Sequence, residues 1–346
     1  MIRLNIGIFE LEPWERAVFK ALEEDHSVQY FHTRLNLETI HQAMDCEVIS
    51  TFIYSGLDRA VLSRLPNLKM IAVRATGLDH VDLEYCRQRL IQVLNVPDYG
   101  KNTVAEHTFG LLLTIAHHLY ESIDRTRRGD FTTQGLQGFD LQGKTLGVIG
   151  TGSIGSHVVR IAGGFGMDVL AFDSHPDPSL SKGGALRYVS WGELLSQSDI
   201  LTLHVPSTPE TRNLLSEAAF QQMKPGVVIL NTARGDLIDV EALVKALATG
   251  KVSAAGLDVL PEEPVLREEA EVLRAFYQHQ HQLRDLLADH LLLRLRHVFV
   301  TPHNAFNTRE AVGRISKTTL ENIQKFLAAT SPSRSVSAEC YPVKIK

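Results

Sequence analysis

The sequence predicts an α/β protein built as two domains, and three observations carry that prediction. Short apolar runs of strand length alternate with helical patterns along most of the chain. Its 346 residues are about the length of two ordinary domains. The apolar runs of the second half are continuous rather than alternating, as parallel strands covered on both faces are.

In the first hundred residues the strand-like runs fall at 2–9, 27–31, 48–54, 68–75 and 91–96, with helical patterns near 13–25 and 57–65. Asn95 to Asn102 reads as a loop. Thr103 and Glu106 then stand at capping-box spacing, which predicts the start of a helix. Its body, 108–119, is apolar nearly all round, so it is buried on more than one side, at a domain crossing or a subunit contact. The second series of strands is expected at 146–150, 168–173, 200–205, 227–233 and 253–259. Residues 262–296 read as largely helical, Val298-Phe299-Val300 as a strand, 308–327 as a last helix and the tail from Ser331 as extended. No internal repeat has matching residues.

Apolar residues make up 44% and charged residues 22% of the chain, enough to bury real cores. The formal charge is −5 and the basic residues are scattered, so no stripe is set up for nucleic acid. No apolar run has the length of a membrane span. Met1 to Phe9 reads as a strand rather than a signal peptide. Cys46, Cys86 and Cys340 are far apart and odd in number, and form neither a disulfide framework nor a metal cluster. These readings lead us to expect a cytoplasmic protein with no membrane or nucleic-acid partner.

The clearest local motif is Gly150-Thr151-Gly152-Ser153-Ile154-Gly155, a G-x-G-x-x-G set between an apolar strand and a helix. Gly150 permits the tight turn, Gly152 lets a pyrophosphate approach the backbone, and Gly155 lets helix and strand pack closely. The first amides of the helix, including those of Ser153 and Ile154, then face the phosphates at the positive end of the helix dipole. Asp173 follows eighteen positions after Gly155, at a strand end, where a carboxylate accepts from the adenosine ribose hydroxyls and repels a 2′-phosphate. Ser174-His175-Pro176 supplies no arginine, so NAD is favoured over NADP. On this motif alone an S-adenosylmethionine enzyme stays open.

Three further segments narrow the choice. Arg234, in Asn231-Thr232-Ala233-Arg234-Gly235-Asp236-Leu237-Ile238-Asp239, follows a buried strand, and a guanidinium there can hold a carboxylate bidentately. Gly256-Leu257-Asp258-Val259-Leu260-Pro261-Glu262-Glu263-Pro264 is a second strand end. Thr301-Pro302-His303-Asn304-Ala305-Phe306 is the third. Hydride transfer to a 2-oxo acid needs a proton donor for the developing alkoxide, and histidine titrates near neutrality. A carboxylate on its other nitrogen, a part open to Glu263, fixes the tautomer and favours the charged form. Singly, each residue also fits a structural salt bridge, a helix-start acid or a satisfied loop histidine.

Together with Leu203-His204-Val205-Pro206, these stretches resemble the D-isomer-specific 2-hydroxyacid dehydrogenase family over nearly the whole chain. The resemblance implies two doubly wound parallel-sheet domains around a cleft: a flavodoxin-like substrate domain, residues 1–98 and 302–346, and a Rossmann NAD-binding domain, 99–301. Two chain crossings would form the hinge. It implies Arg234 as the substrate-binding arginine, Glu263 as the histidine partner and His303 as the acid/base. The amides of Thr76, Gly77 and Leu78 would hold the substrate carboxylate. Val205, Pro206 and Thr211 would lie beside the cofactor, Thr232 and Ala233 near the nicotinamide ribose, and Asp258 on the carboxamide; a strand-end hydrogen bond to backbone is the alternative for Asp258. A homodimer is implied, with the helix after Asn102 near the contact.

Asn95-Val96-Pro97-Asp98-Tyr99, Val104-Ala105-Glu106-His107 and Pro302 to Thr308 are most similar to the D-lactate dehydrogenase branch. That similarity implies a small pyruvate-like substrate closed over by Tyr99 and Phe306, with Tyr54 lining its side-chain pocket. A glyoxylate or hydroxypyruvate reductase of the same family is the alternative enzyme. An NAD(H)-sensing, corepressor-like binding protein is the alternative from another class. The forty residues from Glu263 to His303 exceed the family's spacing. The excess lies in 265–296, where Gln278-His279-Gln280-His281-Gln282 has histidine spacing but no acids or cysteines to complete a metal site.

Overall fold

The computed structural model describes residues 3–182, 184, 186–261 and 291–330. The chain divides into two units, Met1–Tyr99 with Thr308–Lys346, and Gly100–Asn307.

The first unit is built on five strands: β1 Asn5–Ile8, β2 Ser27–Tyr30, β3 Val48–Thr51, β4 Met70–Val73 and β5 Gln92–Leu94. All pair in parallel, in the order β2-β1-β3-β4-β5. This is the flavodoxin-like doubly wound order. Its short helices are α1 Arg16–Phe19, α2 Arg59–Leu62 and α3 Leu83–Gln88, and the long helix Arg309–Thr330 joins it from the far end of the chain. Side chains alternate across a strand. Ile49, Ile71 and Val73 therefore pack with Leu57, Val61, Leu62 and Cys86 on one face, and Val48, Met70 and Ala72 with Phe19, Ile323 and Phe326 on the other. The central strands β3 and β4 are therefore buried along their whole length, whereas β2 and β5 at the sheet's two edges are only partly buried.

Arg74 follows β4 and is fully buried. Its Nη2 donates to the carbonyls of Phe9 at 2.6 Å and Glu10 at 2.7 Å, its Nη1 to Ser50 Oγ at 3.1 Å, and its Nε lies 3.7 Å from Glu15 Oε1. The ends of β1, β3 and β4 are thus tied together just before Thr76. Charge burial of this kind persists only when paired and hydrogen-bonded, as it is here.

The second unit contains α4 Lys101–Ala116, α5 Leu119–Arg127, β6 Thr145–Ile149, α6 Gly155–Gly164, β7 Asp168–Phe172, β8 Arg187–Tyr188, α7 Trp191–Gln197, β9 Ile200–Leu203, α8 Glu217–Gln222, β10 Val227–Asn231, α9 Val240–Ala248, β11 Val252–Leu257 and β12 Val298–Val300. The sheet is parallel throughout, in the order β12-β11-β10-β9-β6-β7-β8. Strand order reverses between β6 and β9, which is where such sheets bind ligands. β8 went unread in the sequence because two residues carry no periodicity.

α4 buries Phe109, Leu112 and Ile115 against Val148, Val228 and Leu230. The expected capping box is not formed. The helix starts at Lys101, which places Thr103 inside it, and Glu106 Oε1 accepts from Asn102 Nδ2 instead. The expected helix body to residue 119 is also divided, because His118 takes a left-handed φ of 48° between α4 and α5.

The chain stays with the second unit through Asn307, although the sequence reading ended that domain at residue 301. The reason is Asp258, which bonds Thr301, Asn304 and Ala305. Tyr99 goes with the first unit, where its carbonyl accepts from Arg314 Nε at 2.7 Å. Glu263, most of the helical stretch read at 262–296 and the tail from Ser331 lie outside the described residues. No helix among the described residues is long and apolar enough to cross a membrane, and none of their His, Cys, Asp and Glu side chains group as metal ligands.

Candidate active site

The three glycines of the turn after β6 each answer a different steric demand. Gly150 has φ +90°, and a Cβ there would lie 2.7 Å from Val205 Cγ1 and 2.8 Å from the His204 carbonyl oxygen. A Cβ on Gly155 would lie 2.0 Å from the Gly150 carbonyl oxygen. Gly152 faces open space, with no atom within 4 Å of its Cβ position. A side chain at Gly152 would fill the space a phosphate needs, so the turn fits a dinucleotide. Ser153 and Ile154 lead into α6, at the positive end of its dipole.

Asp173 stands beside this turn at the end of β7. Its Oδ2 accepts the Thr151 amide at 2.6 Å and the Thr151 hydroxyl at 2.9 Å, and its Oδ1 the His175 amide at 2.8 Å. Burial works against ionisation, but these donors outweigh it and hold the carboxyl below its usual range. Three of about four acceptor positions are filled, leaving one for a hydroxyl from outside. Thr151 Oγ1 also lies 2.8 Å from the Tyr188 hydroxyl. Neither Thr151 nor Tyr188 was legible as part of the site; the threonine inside G-T-G was the only local signal.

Beyond β9, Val205 packs against Gly150, while Thr211 Oγ1 donates to the exposed Pro206's carbonyl at 2.7 Å and closes the loop. His204 Nε2 lies 2.9 Å from Thr202 Oγ1, and burial pushes its imidazole down to about 3, so it is neutral at pH 7.

Beyond β10, the buried Asn231 side chain shapes the turn that carries Arg234. Its Oδ1 accepts the Ala233 amide at 3.0 Å and its Nδ2 donates to the Arg234 carbonyl at 2.8 Å. Thr232 Oγ1 lies 3.0 Å from Thr108 Oγ1 of α4. A Cβ on Gly235 would lie 2.2 Å from the Leu260 carbonyl carbon and 2.4 Å from Pro261 N. This close approach lays the Arg234 turn against the segment that leads to Glu263. Arg234 itself is extended and half-buried, and its Nη1 donates to the Ala233 carbonyl at 2.7 Å.

Asp258 ends β11 and is 1% exposed. Its Oδ1 accepts from the Thr301 hydroxyl and from the Asn304 amide at 3.0 Å, and its Oδ2 from the Ala305 amide at 2.9 Å. His107 Nε2 lies 3.4 Å from the same Oδ1. The side chain expected on a nicotinamide carboxamide therefore grips the loop after β12, and Oδ2 keeps one lone pair. That loop presents His303, half-buried, with φ +52° and its amide on the Thr301 carbonyl at 2.9 Å. Phe306 is half-buried at the end of the same loop.

In the first unit, Thr76 Oγ1 donates to the Val96 carbonyl at 2.9 Å, and Asn95 Nδ2 to the Thr76 carbonyl at 2.7 Å. Leu78 packs on the core beneath, so the 76–78 segment is anchored at both ends with Gly77 between. The Tyr54 amide donates to Glu10 Oε1 at 2.7 Å, and its ring, 42% exposed, stands edge-on to Phe52. Tyr99 is half-buried.

Residues 109–305 match the sequence profile described as D-isomer specific 2-hydroxyacid dehydrogenase, NAD binding domain. This chain belongs to the D-isomer-specific 2-hydroxyacid dehydrogenase family. It is 38% identical to a 2-hydroxyacid dehydrogenase homolog of Haemophilus influenzae over 329 residues, which is 93% of this chain and 96% of the relative. It is 37% identical to the D-lactate dehydrogenase of Escherichia coli, over 92% of this chain and 96% of that enzyme. Among solved structures it is similar to D-lactate dehydrogenase from Aquifex aeolicus complexed with NAD and lactic acid, with a TM-score of 0.83, 34% identity and coverage of 94% and 96% of the two chains. As in an oxidoreductase of this family, the glycine turn, Asp173, Arg234, Asp258 and His303 all lie inside the NAD-binding match.

Proposed function

We propose that the chain is an NAD-dependent D-2-hydroxyacid dehydrogenase that interconverts a small, pyruvate-like 2-oxo acid and its D-2-hydroxy acid. One observation carries this reading. β6, β10, β11 and β12 run parallel, so the glycine turn, Arg234, Asp258 and the His303 loop all leave the same edge of one sheet. The likeness to two D-lactate dehydrogenases, one of them holding NAD and lactic acid, supports the substrate class.

Bound at the glycine turn, the cofactor supplies the hydride that reaches the substrate's C2 in the reducing direction. Gly152 leaves room for the pyrophosphate, the amides of Ser153 and Ile154 hold it, and Asp173 takes the ribose hydroxyls. The loop closed by Thr211, with Val205 and Pro206, lies along the cofactor; Thr232, Ala233 and Asp258 orient its nicotinamide end. Arg234 and the amides of Thr76, Gly77 and Leu78 anchor the substrate carboxylate. His303, as imidazolium supported by Glu263, gives its proton to the C2 oxygen and recovers it in the reverse direction. Tyr54, Tyr99 and Phe306 border a small side chain. The chain works in the cytoplasm as a homodimer, and α5, which buries none of its residues and exposes Tyr120 and Ile123, supports a subunit contact beside α4.

NADH oxidation against 2-oxo acids from glyoxylate through pyruvate to bulky aromatic acids tests the reading. Highest kcat/KM with pyruvate-sized acids is expected, with His303→Gln abolishing turnover and leaving NADH binding nearly unchanged. Tight NADH binding without turnover of any acid overturns the enzyme reading in favour of a sensor.

A further inference from the structure

The geometry points to His107 as a positioning residue for the loop that carries His303, a reading that rests on the acid/base role proposed above. His107 lies on α4, and its Nε2 stands 3.0 Å from Thr301 Oγ1 and 3.4 Å from Asp258 Oδ1. Proton counting fixes the direction of these bonds. A threonine hydroxyl has one proton, and Thr301 spends it on the Asp258 carboxylate, which can only accept. Toward His107 the hydroxyl therefore offers a lone pair, and Nε2 must carry the hydrogen. The result is a directed chain from His107 Nε2–H to Thr301 Oγ1–H to Asp258 Oδ1.

That chain ends on the carboxylate that holds both amides following His303, those of Asn304 and Ala305. Thr301 is also gripped at its carbonyl by the His303 amide. His303 needs such bracing because φ +52° is unfavourable for a residue with a Cβ and persists only where its surroundings impose it. The next residue on α4 does the parallel job. Thr108 Oγ1 meets Thr232 Oγ1, two residues before Arg234. Two consecutive residues of one buried helix thus brace the two loops that carry the proposed proton donor and the proposed carboxylate anchor.

His107→Leu removes the donor at similar volume, whereas His107→Gln keeps an N–H in its place. We expect kcat to fall about tenfold or more in His107→Leu, with the KM for the 2-oxo acid and the affinity for NADH within about twofold of wild type. His107→Gln should recover most of the loss. Thr301→Val should lose as much as His107→Leu, and the double variant no more than either, because both act through one chain. Hydrogen exchange across 301–307 should speed up in His107→Leu and in Thr301→Val, but not in His107→Gln. Unchanged kcat in His107→Leu, losses that multiply in the double variant, or unaltered exchange in this segment each overturn the inference. Where His107→Leu fails to fold, kcat and exchange in Thr301→Val decide alone, since both must change. Exchange needs no substrate, so it tests the brace even if no 2-oxo acid is turned over. Full activity in His303→Gln would sink the acid/base reading instead.

Discussion

The carboxylate of Asp258 accepts the amide of Ala305 at 2.9 Å, so the end of β11 holds the loop that carries His303. Asp258→Asn turns one acceptor oxygen into a donor facing either an amide or a hydroxyl that already donates. The expected cost is about 2–3 kcal/mol of stability, from a buried group left without its partner. Turnover should fall more steeply than the folded fraction does, because the loop is displaced even in folded molecules. Urea unfolding beside kcat on the same preparation checks this; a kcat that merely tracks the folded fraction contradicts it.

Arg234 depends on Asn231 for its backbone position and on Gly235 for its closeness to the Leu260-Pro261 segment. Arg234→Ala should raise the KM for 2-oxo acids strongly, with NADH affinity within about threefold. Steady-state kinetics with NADH titrated separately gives both numbers. An unaltered KM removes the substrate-binding role.

For Asp173 two consequences separate cleanly. Asp173→Ala removes the charge that excludes a 2′-phosphate, so preference should move from NADH toward NADPH. It also strands the amides of Thr151 and His175. Stability should therefore fall by about 1–2 kcal/mol even without cofactor. Kinetics with both cofactors and thermal unfolding of the apoprotein test the two halves independently.

The buried imidazole of His204 sets a pH dependence. Its value falls from 6.5 to about 3 on folding, so the unfolded chain takes up a proton that the folded chain refuses. The stabilisation from keeping it neutral is complete above about pH 6.5 and is lost as pH falls toward 3. From pH 7.5 to 5.5 the expected loss is about 1.4 kcal/mol. His204→Gln should have a correspondingly flatter stability profile over that range in urea titrations. Equal slopes for the two proteins would remove His204 as the source.

Legibility differed between the strands and the contacts that aim the site. Most strands of the second unit were readable because double burial leaves continuous apolar runs, as at Val227–Asn231. The glycine turn was readable because its three glycines fall at fixed spacing within six residues, between a strand and a helix. The capping box at Thr103 and Glu106 was misread because local spacing cannot tell a helix start from a first turn already under way at Lys101.

By itself the sequence determined the α/β class, the dinucleotide turn with Asp173 behind it, and the candidate roles of Arg234 and His303. The class and the turn depend on residue type, short spacing and strand ends, which one chain displays directly, whereas the roles of Arg234 and His303 follow from the family resemblance that the ordered motifs carry. Only the tertiary structure decided what aims those residues. Asp258 reaches Thr301 across 43 positions, and His107 reaches the same threonine across 194. The backbone of Gly235 closes on Leu260, and Tyr188 backs Thr151. Such contacts arise where parallel strands distant in sequence end side by side, and no local pattern encodes which polar groups then meet.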